Sequence, residues 1–360
     1  MKKTLLYVID TLGAVGGAEV MMVAPLRDLQ HEYRIIVVSL RPGNVFEKEY
    51  FTGDAHYCLH MYGLKDLAAA VRRLKSIICS EEVDLVHSFL FWSGVVARLA
   101  CGKKTPYLFS LATLMGSHVY RHKWYSRYTR WIDSLTYRKD HVVISPTREV
   151  LDDFDVNLGI RGPSRVIYNF VLDPFFESKV AYCRKSPKLK LVAVGNIKPV
   201  KNYEVMIEAL SRVRHLPISL DIYGSGSLTP KQEKKIRDEG LAIRQMGSSH
   251  KIHEILPQYD AFVMGSLQEG FGISAAEAMT VGLPLIVSDI AVFREVTAGN
   301  ALFFDPRNPD DLASILTAFQ QGGIDPVPLS EKGKAISRQR YTRQKYIQEL
   351  TDLYKGIILN

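Results

Sequence analysis

The sequence predicts an α/β protein of two domains, each with a doubly wound parallel sheet covered by helices. The length of 360 residues suggests two domains and is enough to bury two cores. Short apolar runs alternate with helix-like stretches along the whole chain, and strands this apolar are typical of parallel sheets buried on both faces. The composition, 47% hydrophobic and 23% charged, excludes long disordered, collagen-like and coiled-coil chains.

The first half of the chain contains six apolar runs that predict strands. These runs are Leu5–Ile9, Arg34–Leu40, Asp84–His87, Tyr107–Leu111, His141–Ile144 and Val166–Tyr168. Helix-like stretches between them include Ala18–Gln30, Leu64–Glu81 and Ser93–Cys101. Strands that alternate with helices indicate parallel crossover units.

The second half repeats this alternation. Its predicted strands are Lys190–Gly195, Ser219–Tyr223, Ala242–Met246, Ala261–Met264, Leu285–Ser288 and Ala301–Phe304. The final stretch, Arg338–Leu359, has apolar and aromatic residues at helical spacing and predicts a C-terminal helix.

The boundary between the halves is predicted at 173–189, where two prolines and a basic cluster interrupt the periodicity. We therefore expect an N-terminal domain at 1–172, a linker at 173–189, a C-terminal domain at 190–337, and a C-terminal helix at 338–360 that crosses back to the first domain.

The charge balance indicates acidic partners. Lys and Arg number 46 against 38 Asp and Glu, which favours phosphates, nucleic acid or an anionic membrane surface. Asp10 interrupts the apolar start too early for a signal peptide, and no run approaches the ~18 apolar residues of a membrane span. The four cysteines form no C-x-x-C pair, which fits a reducing compartment. We expect a cytoplasmic protein, with the inner face of the cell membrane as a further candidate location.

The loop at 11–19 directly follows the first predicted strand and contains three glycines. Two doubly wound domains are expected to bind ligands in a shared cleft at the carboxyl ends of their strands. Glycines at such a place let the backbone approach a phosphate, but they also suit a tight turn between strand and helix. The pattern lacks the third glycine of the dinucleotide fingerprint, so both interpretations remain open.

The segment 265–279 carries two carboxylates, Glu269 and Glu277, separated by a Gly-Phe-Gly loop. Glu269 is expected in the loop near a helix N-terminus, and Glu277 a turn or more into that helix. A carboxylate accepts two hydrogen bonds and therefore suits a sugar diol, while exposed loop amides suit a diphosphate. The alternative is a charge that stabilises the helix dipole together with an ordinary surface glutamate.

This segment resembles the E-x7-E motif of the retaining glycosyltransferases of family 4, which have the GT-B fold. Further segments resemble the same family in order and spacing, and the match extends over nearly the whole chain. It is strongest at 190–310 and weakest at 40–80 and 112–140. The further matching segments are 16–19, 145, 167–169, 194–202, 223–226, 260–266 and 284–289.

The resemblance implies a hexosyltransferase-type enzyme that moves a sugar from a UDP- or GDP-linked donor to an acceptor hydroxyl, with no metal ion and no cofactor. A lipid-linked glycan used for cell-surface polysaccharide is the expected acceptor. The resemblance implies that the N-terminal domain, 1–172, binds the acceptor and that the C-terminal domain, 190–337, binds the nucleotide-sugar. Glu277 is expected at the ribose, Glu269 at the transferred sugar and Lys201 at the diphosphate. The implied catalytic residues are Glu269, Lys201 and Asn196, and the implied donor-binding residues are Gly16, Gly17, Gly195, Gly224, Gly247, Gly270, Phe271, Gly272, Ile273 and Glu277.

Two departures from the family pattern leave alternatives open. Asn196 stands where the family often has Arg, and the family's histidine is missing near Ala112. His118 and His87 are therefore candidates for the acceptor or sugar site, although a solvated loop histidine and a satisfied strand-end imidazole explain them equally. A nucleotide-sugar epimerase of the same fold, or a non-catalytic relative that binds membranes, remains as an alternative function.

The segment 118–141 is basic and aromatic, with six Lys or Arg, two Asp and six aromatic residues. Its aromatic residues recur at helical spacing and cations flank them, as in a helix at a membrane interface. The alternative is that this stripe packs onto the sheet of the first domain. No nucleic-acid motif accompanies it, so we expect no nucleic-acid partner. The candidate membrane-facing residues are Trp124, Tyr128, Trp131, Arg127 and Arg130.

Overall fold

The chain folds into two compact units, each containing one parallel sheet. Contacts assign Met1–Asn169 and Arg343–Asn360 to unit 1 and Phe170–Thr342 to unit 2. These assignments come from a computed structural model, which describes residues 2–13, 16–46, 53–114, 124–159, 162–177, 182 and 186–359, with the backbone alone for 124–126. Two Rossmann-like parallel-sheet domains confirm the predicted α/β fold class.

Unit 1 has a seven-stranded sheet in the order β3-β2-β1-β4-β5-β6-β7. Its central strands are buried almost throughout, because helices cover both faces. The strands are β1 (Lys3–Ile9), β2 (Tyr33–Ser39), β3 (Ala55–Cys58), β4 (Leu85–Phe89), β5 (Tyr107–Ser110), β6 (Val142–Ser145) and β7 (Ser164–Val166). The helices are α1 (Gly17–Val23), α2 (Leu26–Leu29), α3 (Leu67–Ser80), α4 (Phe91–Ala100), α5 (Trp124–Thr136) and α6 (Arg148–Leu158).

Two elements of unit 1 differ from the sequence prediction. Strand β3 was not predicted, because this edge strand is only half-buried and has no apolar run. The helix predicted at Ala18–Gln30 is two short helices, α1 and α2, with Pro25 between them. Proline has no N–H to donate inside a helix and favours a new helix start.

Unit 2 has a six-stranded sheet in the order β10-β9-β8-β11-β12-β13. All six of these strands were predicted, within about one residue at each end. They are β8 (Leu189–Val194), β9 (Ile218–Tyr223), β10 (Ile243–Gly247), β11 (Ala261–Met264), β12 (Leu285–Ser288) and β13 (Leu302–Phe304). The helices are α7 (Tyr203–Arg212), α8 (Pro230–Asp238), α9 (Ile252–Ile255), α10 (Ile273–Val281), α11 (Ala291–Val296), α12 (Pro309–Gln320) and α13 (Val327–Arg340).

The helix predicted at Arg338–Leu359 is interrupted at Tyr341 and Thr342. The side chain of Tyr341 is fully buried, and its hydroxyl donates to the carbonyl of Val296 at 2.6 Å. The amide of Val171 donates to the carbonyl of Tyr341 at 2.8 Å, and Val171 also forms a β-bridge with Thr342. These contacts hold the two residues out of the helix, so α13 ends at Arg340 and α14 spans Arg343–Leu359.

Helix α14 packs on unit 1 through a buried polar network. The hydroxyl of Tyr354 lies 2.7 Å from that of Tyr7 and 2.6 Å from Nδ1 of His87. Nε2 of His87 lies 2.6 Å from Oγ of Ser110. Burial lowers the pKa of His87 well below its usual value, so the imidazole is neutral at pH 7. The network joins α14 to β1, β4 and β5.

No helix among the described residues is long and apolar enough to cross a membrane.

We expect Tyr354→Phe to lower the free energy of unfolding by about 1–3 kcal/mol, because it leaves two buried polar partners unsatisfied. Denaturant or thermal unfolding followed by circular dichroism measures the change.

Tyr33→Phe is the matched control. The Tyr33 ring packs edge-on against Tyr354 with ring centroids 6.0 Å apart. Its buried hydroxyl has no hydrogen-bond partner among the described residues, so its removal should cost little stability. Equal losses in the two variants would contradict the role given to the network.

Candidate active site

Three loops that carry motif residues meet at the carboxyl edge of the unit 2 sheet. They follow β8, β9 and β11. These strands are neighbours in the sheet order β9-β8-β11. Because parallel strands end at the same edge, their loops lie side by side at the usual ligand position of such sheets.

Lys201 and Glu269 form an ion pair that joins two of these loops. Nζ of Lys201 donates to Oε1 of Glu269 at 2.5 Å, and Oγ of Ser266 donates to the same oxygen at 2.7 Å. The side chains of Lys201 and Glu269 are only 19% and 10% exposed. The structure therefore brings together two residues that the motifs placed 68 positions apart.

The backbone around this ion pair is also fixed. The amide of Leu267 donates to the carbonyl of Val200 at 2.9 Å, which links the same two loops. Asn202 adopts the left-handed conformation with φ 51°, a region that Asn tolerates better than most residues. Its side-chain amide donates to the carbonyl of Pro306 at 2.8 Å. Lys201 is therefore the last residue of a short 3-10 turn, Pro199–Lys201, and only Asn202 separates it from the start of α7.

Gly195 and Gly224 bring the loops after β8 and β9 into backbone contact. Gly224 has φ 148°, and a Cβ there would lie 2.2 Å from the carbonyl oxygen of Gly195. The same carbonyl accepts a hydrogen bond from the hydroxyl of Tyr203 at 2.7 Å. The carbonyl of Gly247 accepts from the amide of Gly224 at 2.9 Å. Local packing therefore requires glycine at 224 whether or not a ligand binds.

Asn196 links the same loops at an exposed position. Its Oδ1 accepts hydrogen bonds from the amide and the hydroxyl of Ser225 at 3.2 and 2.7 Å. The amide of Ile197 donates to the carbonyl of Ser225 at 2.7 Å. Asn196 therefore fixes the loop beside the ion pair.

The glycine-rich loop 270–272 leads into helix α10. Gly272 has φ 79°, and a Cβ there would lie 2.7 Å from the ring of Phe293, so this turn requires glycine. The Phe271 side chain is buried, with its ring edge-on to Tyr341 at 5.3 Å. Any contact of Phe271 with a ligand therefore falls to its backbone, and Ile273 begins the helix.

Glu277 lies in the second turn of α10 and keeps a small exposed surface. Its carboxyl makes no hydrogen bond or ion pair within the described part of the chain. Burial raises the pKa of Glu277 to about 8, because the charged form loses its hydration without gaining a partner. A desolvated and unpaired carboxyl beside a glycine-rich loop is typical of a ligand site.

The remaining donor-site candidates are Gly16 and Gly17 in unit 1 and Gly247 and Gly270 in unit 2. Gly16 caps α1 and Gly17 is its first residue. Gly270 lies within the glycine-rich loop of unit 2, and Gly247 ends strand β10 with φ 75°.

The two histidine candidates have different outcomes. His87 lies inside β4 and is 1% exposed. Both ring nitrogens are engaged, by Tyr354 and Ser110. Its proposed place in a ligand site is therefore wrong, and the satisfied imidazole is what the fold contains. His118 lies outside the described residues.

Two apolar residues of the basic aromatic stripe are exposed on α5, whereas Tyr137 of the same segment is buried in the core of unit 1. Trp131 and Leu135 are 59% and 65% exposed, and the Tyr128 ring stacks on Trp131 with centroids 6.3 Å apart. The inward position on α5 is taken by Asp133, which forms a buried ion pair with Arg98. The packing alternative is therefore wrong for Trp131 and Leu135.

The cations of the stripe remain near the surface of α5. Arg127 is exposed, and Arg130 donates to Oδ1 of Asn157 at 3.0 Å. For Trp124 only the backbone, at the start of α5, is described.

Three residues that shape the site, Tyr203, Ser225 and Ser266, are not among the candidates named from the sequence. Ser225 and Ser266 lie inside the family-like segments 223–226 and 260–266, and Ser266 also stands three residues before Glu269. Tyr203 lies outside those segments and has no motif of its own.

Comparison with known proteins identifies the family. The model for "Glycosyl transferases group 1" matches residues 176–350, and that for "Glycosyltransferase Family 4" matches 15–172. An uncharacterised glycosyltransferase of Methanocaldococcus jannaschii is 25% identical over 324 residues, which cover 86% of this chain and 87% of that protein. The O-antigen biosynthesis glycosyltransferase WclY of Escherichia coli is 32% identical over 102 residues, 28% of each chain.

Solved structures agree on the fold. A glycosyltransferase from Rickettsia africae has a TM-score of 0.79 at 19% identity, covering 100% of this chain and 99% of that one. Anabaena HepE in complex with UDP and glucose has a TM-score of 0.78 at 17% identity, covering 97% and 99%. The chain therefore belongs to the group 1 glycosyl transferases and has the GT-B fold of two Rossmann-like domains.

Proposed function

We propose that this glycosyltransferase moves a sugar from a UDP- or GDP-linked donor to a hydroxyl of a glycan acceptor, with retention of anomeric configuration and without a metal ion. The observation that carries the proposal is the Lys201–Glu269 ion pair on the edge of unit 2, followed by the unpaired carboxyl of Glu277 on α10. The solved structures of HepE with UDP-glucose, a protein of the same fold, support a nucleotide-sugar donor.

Glu277 would bind the ribose of the donor. The two neighbouring hydroxyls of a ribose can both donate to one carboxylate. A carboxylate that has lost its water and has no protein partner gains most from such donors. Burial alone disfavours the ionised form of Glu277, and hydrogen bonds from the two ribose hydroxyls would favour it.

Lys201 would bind the diphosphate. As the bond between the sugar C1 and the diphosphate oxygen breaks, the leaving group gains negative charge. A positioned ammonium stabilises that charge in the transition state. A charge-assisted hydrogen bond of this kind contributes about 1.5–3 kcal/mol.

Transfer would proceed on the front face of the sugar. The acceptor oxygen bonds to C1 on the side from which the diphosphate departs, and the acceptor proton passes to the departing phosphate oxygen. This step needs no protein nucleophile. Glu269, held by Lys201 and Ser266, would accept hydrogen bonds from hydroxyls of the transferred sugar.

The acceptor is proposed to be a lipid-linked glycan at an anionic membrane. Segment 118–141 has six Lys or Arg against two Asp, which complements anionic headgroups. The exposed Trp131 and Leu135 suit insertion at the headgroup boundary. Among proteins of this fold are WaaB, a lipopolysaccharide outer core galactosyltransferase, and WaaG, which is involved in lipopolysaccharide biosynthesis.

We expect Lys201→Ala to lower turnover of UDP- or GDP-sugar by roughly 10–200-fold, which corresponds to the loss of one charge-assisted hydrogen bond. The measurement is release of nucleoside diphosphate, after a thermal-shift panel of UDP, GDP and ADP has identified the nucleotide. Lys190→Ala, an exposed lysine on β8, is the matched control and should retain activity. Turnover within twofold of wild type in Lys201→Ala would contradict the proposed role, and interconversion of donor sugars without any acceptor would indicate an epimerase.

We expect Glu277→Gln to raise the melting temperature of the nucleotide-free protein, and to do so more at pH 8 than at pH 5. Between the ordinary pKa of 4.5 and the raised value of about 8, the unfolded chain has lost this proton while the folded chain keeps it. The wild type therefore loses stability relative to the variant as the pH rises through this range, and the difference is constant above it.

Thermal unfolding across pH 5–9 measures this difference, with about 2–4 °C expected for each kcal/mol. The exposed Glu331→Gln is the control for loss of a surface carboxylate. With UDP or GDP present at pH 8.5, the order should reverse, because only the wild type offers a carboxylate to the ribose. A pH-independent effect of Glu277→Gln would rule out the desolvated carboxyl.

We expect the wild-type protein to float with vesicles that contain phosphatidylglycerol and not with pure phosphatidylcholine vesicles. The double variant Trp131→Ala with Arg127→Ala should lose most of this binding, because it removes a ring and a cation from the exposed face of α5. The control is Val156→Ala on α6, a residue that is 86% exposed. Absence of wild-type binding at low salt, or equal binding by the double variant, would exclude a membrane role for α5.

A further inference from the structure

Unit 2 contains a cavity of about 240 Å³ at the amino ends of three strands. Lys188, Pro217 and Ala242 line it and directly precede β8, β9 and β10. These strands are parallel neighbours in the order β10-β9-β8, so their amino ends meet at one edge of the sheet. The ion pair of Lys201 and Glu269 lies at the opposite, carboxyl edge. The cavity is therefore separate from the candidate donor site, and no sequence motif indicated it.

The interior of the cavity is apolar. Four residues of the hydrophobic core of unit 2 form it, each between 5% and 8% exposed: Leu210, Val213, Ile218 and Leu241. Pro217, Gly240 and Ala242 are exposed and border its opening. Protein cores rarely contain voids larger than a water molecule. An apolar space of this size that opens to the surface therefore suits an apolar ligand group.

The lining offers few acceptors to a polar ligand. Among the described residues that line the cavity, every side chain other than those of Lys188 and Arg214 is apolar or is glycine. Four lining carbonyls already accept hydrogen bonds from amides at 2.8–2.9 Å, namely those of Leu216, Pro217, Leu241 and Ala242. A sugar or a nucleobase needs partners for its donors as well as for its acceptors. The cavity therefore does not suit either of them.

Two cations stand at the opening. Lys188 is exposed, and its ammonium makes no hydrogen bond or ion pair within the described part of the chain. The side chain of Arg214 is 63% exposed, and its Nη1 lies 3.7 Å from Oε2 of Glu239, which is beyond hydrogen-bond distance. That oxygen already accepts a hydrogen bond from the hydroxyl of Ser211. The donors of both cations are therefore available to an anionic group.

We propose that this cavity binds a single-chain anionic amphiphile, an alkyl chain that ends in a carboxylate, as in a free fatty acid. The chain fills the apolar interior, and the carboxylate accepts charge-assisted hydrogen bonds from Lys188 and Arg214 at the opening. An apolar cavity of roughly 150 Å³ holds a benzene ring, so a cavity of about 240 Å³ accommodates a longer group. The cations disfavour a cationic amphiphile, and an inorganic anion leaves the apolar space unfilled.

Saturation-transfer NMR titrations on the full chain test the proposal. The probes are octanoate, octanol and octyltrimethylammonium below their micelle-forming concentrations, with inorganic phosphate as a competitor. We expect octanoate to bind with a dissociation constant of about 1 mM or below, with saturation strongest on its chain protons. Octanol should bind about threefold more weakly or worse, and octyltrimethylammonium should not bind. Phosphate at the concentration of octanoate should not displace it.

Two variants separate the charge from the space. The double variant Lys188→Ala with Arg214→Ala removes both cations and should weaken octanoate binding about tenfold while octanol binding stays unchanged. Ala242→Phe places a ring at the opening and should weaken the binding of both probes. The three substituted residues are exposed, so both variants should fold. Arg237→Ala, at an exposed position on α8 outside the cavity lining, is the matched control and should bind octanoate as the wild type does.

The UDP or GDP thermal shift should persist in every variant, because none of the substituted residues lies at the carboxyl edge of the sheet. The proposal is overturned if octanoate does not bind, or if octanol or octyltrimethylammonium binds as tightly. It is also overturned if phosphate displaces octanoate, or if either the double variant or Ala242→Phe binds octanoate as the wild type does.

Discussion

The ion pair between Lys201 and Glu269 is the contact on which the organisation of the unit 2 edge depends. It joins two loops that start from neighbouring strands, and Ser266 fixes the same carboxylate oxygen. Breaking a partly buried pair leaves an uncompensated charge, so neither loop can move independently. The positions of the lysine, the glycine-rich turn and α10 are thereby set together, before any ligand is present.

This pairing also explains how an empty site can keep a cation ready for a phosphate. Without a ligand, the charge of Lys201 is balanced by Glu269. A diphosphate that binds as proposed would bring its own negative charge to the lysine, while the carboxylate turns to sugar hydroxyls. Glu277 differs from Glu269, because its carboxyl has no hydrogen-bond or ion-pair partner among the described residues and burial raises its pKa to about 8. Unit 2 therefore contains two carboxyl groups in opposite states, eight residues apart in the sequence. The charge of Glu269 is balanced by Lys201, whereas burial disfavours ionisation of Glu277.

The sequence predicted the strands that are buried on both faces of a sheet. It missed an edge strand and a helix break, whose positions depend on contacts between residues far apart in the chain. Strands β11 and β12 were placed to the residue because their apolar runs end in polar or turn residues. Edge strand β3 has no such run. The break between α13 and α14 depends on Val171, a partner 170 residues before Tyr341 in the chain, and no local pattern reveals it.

The candidate site shows the same division. The spacing of Glu269 and Glu277 and the resemblance of 194–202 to a known family both point to the edge of the sheet where Lys201 and Glu269 form their ion pair. The sequence alone could not decide between a buried and a ligand-facing His87, because its partner Tyr354 lies 267 positions later, on α14. A cavity of unit 1 lined by Asp10 and Trp92 is assembled from four separate loops, of which only the glycine-rich loop after β1 has a motif of its own.

The distance in sequence between His87 and Tyr354 affects how the protein is made. The two residues are 267 positions apart, and all of unit 2 lies between them. At a translation rate of roughly 5–20 residues per second, the sheet of unit 1 waits on the order of ten to fifty seconds for the helix that completes it. During that interval its β1–β4 face lacks the contacts of α14 on the ribosome, because the helix that completes unit 1 is synthesised after unit 2.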